Sequence, residues 1–223
     1  LVIISKLIKQ DQTHLIEFLK HLNAPIYFES ISNLRENEKL DHLKIKMPQL
    51  LWKNSAKNHF NFDAVLKIGE TPTHRIWRDL DEKYTNIDIF SLSTLPFSGN
   101  QRATHQTMKS IHDFFGHFNK IFFDSFLQKE EGLLKFLDDD QNYFKRMHEI
   151  LNSFPRSEQT IMRDLSQKIA NNSNVYLGNS CPIRHWDHFA TYDNKYFHME
   201  ASRGLNGIDG QLSSFFGFSH EKA

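Results

Sequence analysis

Short apolar runs of strand length return through the first half of the chain, and segments of helical period separate them. Leu1–Ser5 (LVIIS) is β-branched and apolar. Behind it, Asp11–Leu22 repeats Leu15, Ile16, Phe18, Leu19 and Leu22 at helical spacing, with Asp11 placed as the N-cap. Ala24–Phe28 reads as a second strand, and a polar, less regular stretch then leads to MPQLLW. Asp63–Ile68 (DAVLKI) has the pattern of a buried strand closed by Gly69. The stretch TPTHRIWRDLDEKY starts a helix with Pro72 near its first turn, and Ile87–Leu92 is a further strand. Strands alternating with helices of this length predict parallel βαβ units and an open α/β sheet.

The pattern changes from Ile111 to Asn152, where Phe114, Phe115, Phe118, Phe122, Phe123, Phe126 and Phe136 recur at helical spacing. Such a stripe is read as packing surface. The acidic run Asp138–Asp140 is read as a helix N-terminus that complements the macrodipole. A calcium loop is excluded, because DDDQNYFKRMHE lacks the required glycine. After Pro155, Ser157 is the expected N-cap of a helix running to Ala170. Asn174–Leu177 and Tyr196–Ala201 are then expected strands, followed respectively by GNSCPIRHWDHF and SRGLNGIDG. The reading divides the chain into units at 1–125 and 157–223, joined by a helical linker over 126–156.

Composition narrows the function classes. Lys+Arg and Asp+Glu both number 27, so no bulk charge points to nucleic acid or an anionic membrane. The single Cys181 excludes a disulfide framework and fits a reducing, cytoplasmic setting. No apolar run approaches the roughly 20 residues of a membrane span. A chain that opens on a strand, with no Met and no basic leader, is expected to be a fragment of a longer protein.

Three places could carry chemistry. His185 and His188 share a helical face at i,i+3 spacing, yet no zincin motif accompanies them, and no metal site is assigned. Gly178, Asn179 and Ser180 follow a strand whose carboxyl end is where open α/β sheets bind ligands. Arg184 could then fork onto a carboxylate, although the stretch also reads as a plain strand-to-helix turn with Arg184 in solvent. In SRGLNGIDG, Gly204, Gly207 and Gly210 permit a tight turn before an apolar helix whose amide groups could meet an anion. The spacing is not that of a dinucleotide fingerprint.

GNSCPIRHWDHF and SRGLNGIDGQLS, about twenty residues apart, closely resemble the thiamine-diphosphate enzymes that make 2-succinyl-5-enolpyruvyl-6-hydroxy-3-cyclohexene-1-carboxylate in menaquinone biosynthesis. APIYFESISNLR and FDAVLKIGETPTHRIWRDL are similar to that family's central domain. The resemblance implies a Rossmann-like central domain with an open parallel sheet, plus the truncated start of a diphosphate-binding α/β domain. It implies a transferase that decarboxylates 2-oxoglutarate and adds the resulting succinyl-semialdehyde carbanion to isochorismate. Thiamine diphosphate and magnesium would serve the full-length enzyme, itself a dimer or tetramer. The cofactor's own chemistry would do most of the work, with protein groups orienting it.

Carried over by motif, Asn179, Ser180, Asn206, Gly207 and Ile208 face the cofactor, Ile208 as the apolar wedge beneath the thiamine. Ser180, Arg184 and Arg203 face the substrate, together with the basic pair His74–Arg75, where His replaces a Lys or other residue. The family's general-base Glu and its metal-binding Gly-Asp motif match nothing in this chain. The isolated chain is therefore expected to have no catalytic residue of its own, to hold neither cofactor nor magnesium tightly, and to show no turnover. Its last helix is expected to need packing partners from elsewhere, leaving 202–223 poorly ordered or rearranged. Two alternatives remain: a relative of acetohydroxyacid synthase, or a non-catalytic binding or regulatory module on the same scaffold.

Overall fold

The computed structural model describes residues 1–8, 11–22, 24–122, 131–202 and 209–220. Its centre is a five-stranded, wholly parallel sheet in the order β2-β1-β3-β4-β5. The strands are β1 (Val2–Ile4), β2 (Ile26–Phe28), β3 (Ala64–Ile68), β4 (Asp88–Ser93) and β5 (Thr104–Thr107). Val2 sits opposite both Ile26 and Leu66, which places β1 between its neighbours and buries Val2, Ile3 and Ile4. That position explains the unbroken β-branched run: a central parallel strand is covered on both faces. The α/β class read from the alternation is what the chain adopts.

Helices α1 (Gln12–Leu22), α2 (Leu51–Lys57), α3 (Arg75–Glu82) and α4 (Ile111–Phe122) accompany the sheet. Leu15, Phe18 and Leu19 of α1 enter the core, where Phe18 meets Phe115 of α4 with ring centroids 4.7 Å apart. Helix α3 begins three residues after Pro72, with His74 as N-cap, so the proline stands just ahead of the first turn. Two elements escaped the sequence reading. Strand β5 is THQT, a polar edge strand without apolar alternation, and α2 is one short helix entered through a 3-10 turn at Pro48–Leu50.

Helix α5 (Glu131–Asn152) corrects the reading of the acidic run. Asp138–Asp140 lies in mid-helix and its members have separate partners. Asp140 is buried and accepts from the amides of Lys46 (2.7 Å) and Met47 (3.1 Å). Asp139 accepts from Lys57 Nζ (2.7 Å) and Asn58 (2.9 Å). Leu133, Phe136 and Leu137 on the same helix pack into the first core beside Phe60 and Phe62. Of the phenylalanine stripe, Phe115 and Phe136 are core residues, Phe118 packs against the core, and Phe114 is exposed. Phe123 and Phe126 lie outside the described residues.

The second lobe starts at α6 (Glu158–Lys168), where Ser157 Oγ accepts from the Thr160 amide as the expected cap. Strands β6 (Asn174–Leu177) and β7 (His198–Ala201) pair in parallel, with α7 (Cys181–Phe189) between them in sequence. Val175, Leu177, Ile183, Trp186, Phe197 and Met199 form a second core. One of its members, Ile31, comes from the first lobe. Helix α8 (Gln211–His220) follows and buries none of its residues; Leu212 and Phe216 are well exposed.

Candidate functional site

The stretch that looked irregular in sequence, ESISNLRE at 29–36, joins the two lobes. It leaves the carboxyl end of β2 in a 3-10 turn (Ser30–Ser32) and ends that turn on Asn33 in the left-handed region, at φ 56°. Asparagine tolerates this conformation because its short amide can bond locally or across. Here it bonds across: Asn33 Oδ1 accepts from the Met199 amide (2.8 Å), and Nδ2 donates to Leu7 O (3.2 Å). Lys6, just past β1, pairs with Glu200 on β7 at 2.6 Å. The carboxyl ends of β1 and β7 therefore meet.

Buried charge dominates this seam. Glu29 is wholly buried, and its Oε1 accepts from the amide and hydroxyl of Thr73 and from the amide of His74 (2.9 Å). A carboxylate there satisfies amides at the start of α3 that the helix cannot serve itself. Burial, reinforced by the nearby charge of Asp187, raises the Glu29 carboxyl to about 7. Asp187, on α7, is also buried and accepts from both the amide (2.6 Å) and hydroxyl of Ser30. Burial raises its pKa too, against the pull of those bonds and of Arg35. Arg35 is fully buried and reaches the end of α7, donating to Thr191 O (2.6 Å) and Ala190 O (2.9 Å). Its guanidinium carbon lies 3.6 Å from the centre of the Tyr192 ring.

Of the expected site residues, His74 lies in this seam. His74 Nδ1 accepts from the Ile76 amide (3.2 Å), and His74 Nε2 lies 3.2 Å from Nε2 of His188. Both ring nitrogens of His74 are thus used within the protein, and burial followed by the His188 charge lowers it to about 3. Arg75, next along, is exposed and anchored by Asp79 at 3.1 Å. Ser180, Arg184 and His188 follow one another at i,i+4 spacing, so Arg184 lies one turn from the imidazole that touches His74. Arg184 is exposed. His185 lies on another face, 3.7 Å from Glu158, so the two α7 histidines do not converge. Among the described residues, no group of three or more His, Cys, Asp or Glu gathers to hold a metal.

At the far end of α7, Gly178, Asn179 and Ser180 turn the chain from β6 into the helix. The Asn179 amide donates to Gln211 Oε1 (2.8 Å), and a Cβ on Gly178 would stand 2.7 Å from that oxygen. Gln211 opens α8, so the turn after β6 is tied to the helix that follows the SRGLNGIDG segment in sequence. Tyr176 Oη and Ser202 Oγ, 2.5 Å apart, tie β6 to the residue after β7. Ser180 takes φ 72° and ψ −123°, a conformation costly for a side chain with a Cβ. Ser180, the N-cap of α7, makes no side-chain capping bond among the described residues. A hydroxyl and helix amides at a strand's carboxyl end suit an anionic group. Arg203, Asn206, Gly207 and Ile208 lie outside the described residues.

Comparison with known proteins bears on what this arrangement serves. No family model matches the chain. A 2-succinyl-5-enolpyruvyl-6-hydroxy-3-cyclohexene-1-carboxylate synthase from Bdellovibrio bacteriovorus is 33% identical over 223 residues, 99% of this chain. The enzymes of that name from Akkermansia muciniphila and Gloeothece citriformis are 31% and 27% identical over 89% and 92% of the chain. The chain is a relative of these synthases. It spans 40%, 34% and 35% of their respective lengths. In this synthase relative, no helix among the described residues is long and apolar enough to cross a membrane. The sequence reading named the turn after β6 and the His74–Arg75 pair, quoted Arg35 only as the end of a family-like segment without a role, and missed the seam acids. Their only signal was charge inside otherwise apolar stretches, in YFESISNLRE and IRHWDHF.

Proposed function

We propose that this chain is the central sheet and the opening of the cofactor-binding part of a thiamine-diphosphate-dependent synthase. In a protein with the full length of the relatives, the reaction joins the four-carbon unit left by decarboxylation of 2-oxoglutarate to isochorismate. The observation that carries the reading is the pairing of GNSCPIR and SRGLNGIDG at the carboxyl ends of two adjacent parallel strands, within 33% identity across 99% of the chain. Thiamine diphosphate, held through magnesium, would supply the electron sink for decarboxylation. Asn179 and Ser180 would meet the cofactor, with Asn206, Gly207 and Ile208 on the neighbouring loop. Arg184, Arg203 and Arg75 would meet substrate carboxylates, a task the guanidinium fork suits. His74, with both nitrogens engaged, would shape the start of α3 beside Arg75 and leave the charge to it. The isolated 223-residue chain is proposed to be inactive.

Product analysis tests this. The protein at full family length, given 2-oxoglutarate, isochorismate, thiamine diphosphate and magnesium, should release carbon dioxide and form the succinyl adduct. Turnover of pyruvate instead would assign it to the acetohydroxyacid synthases, and turnover of neither substrate would leave a binding module. Either result overturns the proposal.

A further inference from the structure

The contact between His74 and His188 has a proton inventory that its geometry settles. An amide N–H only donates, so the bond from Ile76 N to His74 Nδ1 requires an unprotonated Nδ1. A neutral His74 then carries its proton on Nε2, and that N–H points at His188 Nε2, 3.2 Å away. His188 Nε2 must accept, which places the proton of neutral His188 on Nδ1. One proton occupies the space between the two rings, and a second cannot enter: with His188 charged, two N–H groups would face each other. The same inventory argues against a bridging metal ion, since a neutral His74 bound through Nε2 would need its proton on Nδ1, where the Ile76 amide already points.

We infer that His74 and His188 form a single-proton latch between the two lobes, closed while both imidazoles are neutral and opened when His188 gains a proton. The latch is placed to matter. His74 is the N-cap of α3 on the five-stranded lobe, and His188 is in the last turn of α7 on the other. The charged and titratable groups around it are Asp187 and His185 on α7, Arg35 and Glu29 from the joining stretch, Tyr27 on β2 and Asp79 on α3. Asp187 favours an imidazolium at His188, while burial, His185 and Arg35 oppose it, and the net direction is downward. Asp187 Oδ1 is engaged by the amide and hydroxyl of Ser30. Acidification also protonates Glu29 and Asp187, so the test must isolate His188.

His188→Gln does so, because its amide oxygen can accept from His74 Nε2 but cannot titrate. Nitrogen NMR of the imidazoles should show His74 protonated at Nε2 and His188 at Nδ1 near neutral pH. Hydrogen exchange at 73–76 and 186–190, corrected for intrinsic rate, should quicken by up to about tenfold per pH unit as the pH falls from the ordinary imidazole value of 6.5 towards the lowered folded pKa of His188. In His188→Gln that acid response should largely vanish while exchange near neutral pH stays slow. Equal acid responses in wild type and His188→Gln, or His188 protonated at Nε2 near neutral pH, would overturn the latch. His188→Ala should exchange fast throughout; if it fails to fold, the glutamine variant and the tautomer measurement still decide.

Discussion

Replacing Arg35 with Met keeps much of the apolar stem and removes the guanidinium that fastens α7 to the first lobe. Three losses follow. The carbonyls of Ala190 and Thr191, both buried, lose donors at 2.9 and 2.6 Å. A buried acceptor left unpaired costs about 1–3 kcal/mol. Glu36, also buried, loses its partner at 3.2 Å. Breaking a buried pair from one side costs about 3–5 kcal/mol, but a carboxyl that can take up a proton escapes part of that. Burial already raises the Glu36 pKa against the pull of Arg35, so proton uptake relieves part of this cost. The stacking on Tyr192 at 3.6 Å adds about 1–2 kcal/mol. Allowing for relaxation, the variant should lose about 3–6 kcal/mol, and the loss should concentrate in coupling between the lobes. Urea unfolding should become broader or split, and exchange at 186–192 should quicken far more than at β1 or β3. Arg35→Lys, which can restore one carbonyl bond and the partner of Glu36, should recover roughly half the loss. A loss under about 1 kcal/mol, or one spread evenly over both cores, would refute the reasoning.

Two further perturbations follow from the same geometry. Glu29 is held near 7, above its unfolded value of 4.5, so its contribution is intact below that value and lost as pH rises towards 7. Glu29→Gln removes this loss: relative to wild type it should gain about 1–3 kcal/mol between about pH 4 and about pH 8 in urea titrations, and a constant difference would contradict the raised carboxyl. Gly69 has φ 99°, and a Cβ there would stand 2.6 Å from the Lys6 carbonyl. Gly69→Ala should cost more than about 2 kcal/mol from strain and overlap, read from the thermal midpoint; a neutral alanine would show that the β1 and β3 ends do not approach so closely.

How much of this was legible in the sequence depended on whether a local pattern matched a local cause. The buried strands of LVIIS and DAVLKI and the cap at Ser157 were visible because burial on two faces and a single side-chain bond leave signatures within a few residues. THQT as an edge strand was not, since its place is fixed by pairing with β4 and not by apolar alternation. The acidic run at 138–140 misled for a related reason: its partners, Lys46, Met47 and Lys57, are more than eighty residues away in sequence.

The two motifs after β6 and β7 were likewise readable alone, because each is a short run of neighbouring residues. The sequence by itself determined the α/β class, the parallel strands and the resemblance those motifs carry. Only the tertiary structure decided that ESISNLRE is the joint between lobes, that Glu29 and Asp187 stay buried beside each other, and that His74 faces His188. These residues lie 114 to 166 positions apart where they bond across the seam. A buried charge declares its role only through the group that compensates it, and for Glu29 and Asp187 that group comes from across the sheet or from the other lobe.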